Sequence, residues 1–157
     1  MTVILPTLEI AIEPEWIDYN GHTNMAYYVV MFDRATDFLF DALGIGQSYL
    51  RDTGHSMYAL ESHITYARET KVGDPLRITA RLIDADTKRI HFFLRMATEE
   101  DDMQVATFEM VVLHVATANP RAAPFPAARQ ERIDALLAQH RVLPLPPEIG
   151  RKVGLKR

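Results

Sequence analysis

Met25-Ala-Tyr-Tyr-Val-Val-Met-Phe-Asp-Arg-Ala-Thr-Asp-Phe-Leu-Phe-Asp-Ala-Leu43 is the stretch on which the fold turns. Met25, Tyr28, Val29, Phe32, Ala35, Thr36, Leu39 and Leu43 recur at helical spacing, while Asp33, Arg34, Asp37 and Asp41 mostly take the other side. Phe38 and Phe40 widen the apolar face, which predicts one long helix buried on most sides. Gly44 is placed to end it, because a residue just past a helix often needs a left-handed backbone. Immediately upstream stands Asp18-Tyr-Asn-Gly-His-Thr-Asn24. A carboxylate facing the first turn of a helix puts a base beside free backbone N–H groups, and such groups can hold a developing oxyanion. The same residue types also suit a helix cap and a tight turn.

Working outward, residues 7–17 open with apolar and polar alternation and predict a first strand, with Pro14 suited to an edge or an irregular end. Beyond the helix come four strand candidates, at 57–69, 76–84, 89–98 and 103–117. They are separated by polar turns around Gly73-Asp74-Pro75, Asp84–Lys88 and Glu99–Asp102. Residues 127–140 predict a short amphipathic helix. The expected organisation is a single domain over 1–143, followed by a Pro-rich and then basic C-terminal arm over 144–157. Strands joined by short turns imply an antiparallel sheet, and the long apolar helix must pack on its face. The expectation is therefore an α+β fold with about five antiparallel strands wrapped around one central helix. The open edges of such a sheet favour pairing with a second copy.

Composition narrows the function classes. The 157 residues carry a net charge of −4, which supplies no general attraction to nucleic acid or to an anionic membrane. There is no cysteine, so disulfides, thiolate catalysis and cysteine-based zinc sites are excluded. No stretch approaches the ~20 apolar residues of a membrane span. The N-terminus shows no basic leader and meets Pro6 before any long apolar run, so a cytoplasmic location is expected. His55, His63, His91, His114 and His140 form no close ligand motif, and neither a metal nor another cofactor is expected.

The order of elements, with Asp18-x-x-Gly21-His22-x-Asn24, Tyr28, and later Tyr66 and Gly73-Asp74, resembles the hotdog-fold acyl-CoA thioesterases of the 4-hydroxybenzoyl-CoA thioesterase type over about residues 7–118. The stretches Trp16–Tyr28 and Glu61-Ser-His-Ile-Thr-Tyr66 look most like the betainyl-CoA thioesterases of bacterial carnitine breakdown. The resemblance implies an acyl-CoA substrate, a homodimer or dimer of dimers with sites between subunits, and Asp18 as the catalytic carboxylate. Met25 departs from the pattern, since many relatives carry a second Asn there, and it implies a smoother apolar wall.

On these residues a thioester hydrolase is expected, with Asp18 acting either as nucleophile or as the base for a water. Gly21, His22, Asn24 and Met25 are expected to support the loop and the oxyanion. Trp16, Tyr19, Tyr28, Glu61, His63 and Tyr66 are candidates for binding the acyl group, the aromatics through cation–π contact if that group carries a quaternary ammonium. Arg68, Lys88 and Arg89, with Lys71, are candidates for the CoA phosphates. Two other readings compete. One is an acyl-CoA-binding protein without catalysis. The other is a hotdog enoyl-CoA hydratase, which resembles this chain less because that family places a His five residues after its Asp, where position 23 here is Thr.

Overall fold

The computed structural model describes residues 5–155. The long helix, α1, spans Met25–Leu43, and the strands are β1 (Leu8–Ala11), β2 (His55–Tyr66), β3 (Pro75–Ala85), β4 (Arg89–Thr98), β5 (Gln104–Ala116) and the two-residue β6 (Arg121–Ala122). They form one antiparallel sheet in the order β1-β3-β4-β5-β2, with β6 paired to the end of β5. Two further helices are α2 (Gln47–Thr53) and α3 (Ala127–Arg141). The expected wrap of an antiparallel sheet around one helix is what the chain adopts.

Alternation places the core. Leu76, Ile78 and Leu82 of β3, Ile90, Phe92, Leu94 and Met96 of β4, and Phe108 and Val112 of β5 face α1 and are buried. They meet Met31, Phe32, Leu39 and Leu43. Phe32 stacks on Phe108 with centroids 5.1 Å apart, and Phe40 meets Phe92 edge-on at 6.1 Å. Each such side chain contributes about 1.5–3 kcal/mol on burial. At the far end Gly44 adopts φ +71°, and the N–H groups of Gly44 and Ile45 donate to Asp41 and Phe40 carbonyls, closing the helix as its sequence predicts.

Three boundaries differ from expectation. The first strand stops at Ala11, because Pro14-Glu15-Trp16 turns into a 3-10 helix in which the Trp16 N–H donates to Glu13 and Trp16 is buried. The strand expected at 57–69 runs instead from His55 to Tyr66, after which Ala67 and Arg68 both donate to the Val105 carbonyl. α2, bracketed by Gly46 and Gly54, falls in a stretch with no predicted element.

β1 covers only the first part of β3, from Pro75 to Ile78. Along the remainder α3 takes its place, and the Leu82 N–H donates to His140 Nδ1 at 2.9 Å. Arg81 reaches the carbonyls of His140, Leu143 and Pro144. Beyond them the Gly150 N–H donates to Glu109, and Gln104 donates to Glu148. At the opposite edge β2 carries an irregularity between Ala59 and Glu61, and Tyr58 to Ser62 are exposed. Among the described residues no helix is long and apolar enough to cross a membrane.

Candidate active site

Asp18 begins a tight reversal. Its carbonyl accepts from Gly21 at 2.9 Å, its N–H donates to the His22 carbonyl at 3.0 Å, and Ile17 bridges Thr23 across the turn. Gly21 sits at φ +78°, a conformation that a side chain would strain. The turn is anchored from below by a buried chain of hydroxyls. Tyr28 and Thr70 share a bond of 3.0 Å, Thr70 donates to Thr23 at 2.6 Å, and the Thr23 N–H donates to the Thr70 carbonyl. Burial raises the Tyr28 phenol above its ordinary pKa, opposed by its bond to Thr70. Tyr28 is therefore a strut under the site, and its largely buried ring lines the side lobe described below.

The Asp18 carboxylate accepts the Asn20 N–H at 2.8 Å on one oxygen and the Asn24 amide at 3.4 Å on the other. Asn24 is also the N-cap of α1, its side-chain oxygen accepting the Ala26 N–H at 3.0 Å. One amide thus ties the carboxylate to the helix start. The Asn24 N–H goes to Trp16 and the Tyr27 N–H to the Asn24 carbonyl. That leaves Met25 as the first-turn N–H without a hydrogen-bond partner among the described residues. A free donor at the positive end of a 19-residue helix, beside a fixed carboxylate, can hold a carbonyl oxygen as it gains charge.

The carboxylate opens into a cleft of about 600 Å³ lined by Asp18, Asn20, His22, Asn24, Met25 and Glu69. A side lobe of about 250 Å³ continues past Met25 to Tyr66 and Arg68. Tyr66 leans edge-on against Tyr28 at 5.3 Å, and its hydroxyl donates to the Met25 carbonyl at 3.4 Å. The His22 side chain turns to Glu69, with Nε2 to Oε2 3.2 Å, while its backbone carbonyl holds the Asp18 turn. Glu69, Thr70 and Thr23 were not singled out by the sequence. Thr70 and Glu69 lie more than forty residues from the turn they support, and no local spacing signals such a contact.

The other sequence candidates are dispersed. Trp16 is buried, stacked on Tyr27 at 5.8 Å with Arg34 over its ring. Tyr19 stays with the Asp18 cleft, which it lines from the tip of the turn, 97% exposed. Glu61 and His63 point together, as alternation predicts, but on the face of the sheet away from α1. There they line a cleft of about 500 Å³ with the His91–Glu109 pair and Gly150–Val153. Arg68 lies beside the Asp18 cleft at the Val105 end of β5, whereas the Lys88 carbonyl accepts from His114 near its other end. Nine residues of strand separate the two, roughly 30 Å. Arg89 there forms an ion pair with Asp86 at 2.6 Å. Within one chain, Arg68 and the Lys88–Arg89 pair are not one binding cluster.

Residues 12–152 match the model of the thioesterase-like superfamily. A betainyl-CoA thioesterase of Pseudomonas aeruginosa is 36% identical over 155 residues, covering 99% of this chain and 98% of that one. An L-carnitine dehydrogenase/betainyl-CoA thioesterase of Rhizobium meliloti is 34% identical over 153 residues, covering 98% of this chain and 31% of that longer one. Among solved structures, a Staphylococcus aureus protein in complex with CoA shares 25% identity and superposes with a TM-score of 0.91, over 99% of this chain and 98% of that one.

Proposed function

This chain belongs to the thioesterase-like superfamily and is an acyl-CoA thioesterase, and from that premise we propose that it hydrolyses betainyl-CoA to glycine betaine and free CoA with Asp18 as the working carboxylate. The observation that carries the chemical reading is the pairing of a fixed Asp18 with the unpartnered Met25 N–H at the start of α1. The name of the Pseudomonas relative supports the substrate.

The thioester carbonyl oxygen is taken by the Met25 N–H, and the helix dipole stabilises the charge that gathers on it. Two routes complete the reaction. In one, Asp18 bonds to the carbonyl carbon, the C–S bond breaks with CoA leaving as thiolate, and water then opens the mixed anhydride. In the other, Asp18 takes a proton from a water whose oxygen attacks the carbonyl carbon, and the departing thiolate recovers that proton. Single turnover in ¹⁸O-labelled water separates them, since only the anhydride route leaves label in Asp18 when water attacks the enzyme acyl carbon.

The reading includes a homodimer joined along β2. Its support is an edge strand with Tyr58 and Leu60 exposed, whose Met57 and Ala59 line a hollow with the exposed Val29 of α1. Sedimentation of the purified chain checks it. A cytoplasmic location also belongs to this reading, and cell fractionation checks that. The decisive assay is thiol release from a panel of acyl-CoAs. Betainyl-CoA is expected to be cleaved with higher kcat/KM than acetyl- or butanoyl-CoA. Faster cleavage of the uncharged thioesters would overturn the substrate and leave the thioesterase standing.

A further inference from the structure

The cationic nitrogen of a betainyl group lies two covalent bonds from the thioester carbonyl carbon, roughly 2.5 Å. Whatever recognises that charge must therefore line the same cleft as Asp18 and the Met25 N–H. This distance removes most candidates. Trp16 is closed in its stack with Tyr27. Within one chain Glu61 and His63 open onto the opposite face of the sheet. Asp33 is eight residues along α1 from Met25, roughly 12 Å. Two groups remain. Tyr66 is 47% exposed, and its hydroxyl is fixed to the Met25 carbonyl. Glu69 lines both the main cleft and the side lobe.

We propose that Glu69, oriented by His22 and flanked by the ring of Tyr66, selects acyl groups that carry a positive charge. The inference rests on the betainyl-CoA reading and assigns the residue that gives it specificity. His22 Nε2 meets one Glu69 oxygen at 3.2 Å, and the other has no partner among the described residues. The imidazole meets the carboxylate at a single oxygen, which aims the group and leaves its other oxygen open to the cleft. A trimethylammonium group has no N–H to donate, so it is recognised by net negative charge and by aromatic faces. Tyr66 supplies such a face at the helix start. Arg68 lines the same lobe from its far end.

The test compares betainyl-CoA with 3,3-dimethylbutanoyl-CoA, which has the same shape with carbon in place of the charged nitrogen. The readout is the ratio of their kcat/KM values in the wild type and in Glu69→Gln, Tyr66→Leu and Tyr66→Phe. Glu69→Gln is expected to lower the ratio ~10-fold, a modest value because the carboxylate is exposed to water. Tyr66→Leu should lower it ~3–10-fold, and Tyr66→Phe, which keeps the ring, less than about twofold. A Glu69→Gln enzyme that loses rate equally on both substrates would make the residue a mere support for the His22 turn and overturn the proposal. So would an unchanged ratio. A wild type that cleaves only the uncharged thioester would remove the substrate reading itself, and this inference with it.

Discussion

The two ends of β5 treat polar groups in opposite ways. Near Val105, the Asp18 turn leaves a carboxylate in an open cleft and the Met25 N–H unpaired. Near His114, the imidazole is closed on both nitrogens. His114 is wholly buried, its Nδ1–H donates to the Ala123 carbonyl at 2.8 Å, and its Nε2 accepts the Tyr49 hydroxyl at 3.0 Å. His55 stacks on the same ring at 5.1 Å, and Phe125 covers it at 4.6 Å. Both ends join a turn to a helix through a histidine and aromatic rings. One spends its hydrogen bonds on the fold, and the other leaves a donor unpaired beside a fixed carboxylate that faces an open cleft. Buried polar groups that are satisfied add order, whereas the unsatisfied ones are where chemistry is possible.

The strongest way to break this contrast is Asp18→Asn. It is expected to lower kcat/KM ~10²–10⁴-fold in a thiol-release assay while the melting temperature stays within a few degrees. A normal rate would show that the open end is not the catalytic one. The reciprocal change, His114→Ala, should cost ~2–4 kcal/mol in urea unfolding, through the cavity and the two orphaned partners. Its kcat/KM per folded molecule should move by less than about twofold, since the site is roughly 30 Å away along β5. A large rate loss there would deny that the two ends are separable.

Asn24→Ala touches both roles at once. Losing the cap should cost ~1 kcal/mol of stability, and freeing Asp18 from its amide should lower the rate on the order of tenfold. If stability alone changes, Asn24 is a cap and nothing more. The smallest effect is with pH. Burial lowers the pKa of His114 below its ordinary 6.5, with the Ala123 carbonyl acting against the shift and His55 adding to it. Burial, helped by Arg81, does the same for His140. In that case the unfolded chain binds protons that the folded chain refuses. The stability these residues give is complete above pH 6.5 and is lost as pH falls below it, at no more than ~1.4 kcal/mol per pH unit for each. Urea midpoints at pH 7.5 and pH 5.5 should show the loss, and His114→Phe should remove part of it.

Much of this molecule was legible in the sequence. The period of Met25–Leu43 placed α1 at both ends, because apolar spacing and a C-terminal glycine are local signals. The antiparallel order followed from short polar turns. The missing pieces are those whose cause is not local. α2 is seven residues between two glycines, too short to show a period. Trp16 carries the same side chain whether it lines a cleft or stacks on Tyr27, and only packing decides. Glu69 met His22 across 47 residues of chain, through the sheet and not through any motif. The separation of Arg68 from Lys88 and Arg89 became visible only once the register of β5 was set.

His140, which accepts the Leu82 N–H where β1 has run out, has a consequence for how many chains can come together. A sheet with two bare margins can recruit neighbours on both sides without limit, as fibrils do. Here one margin is occupied by a helix and by a four-residue strand, so the pairing proposed along β2 would leave no bare margin for a further strand. α3 is in this sense a terminator of the sheet.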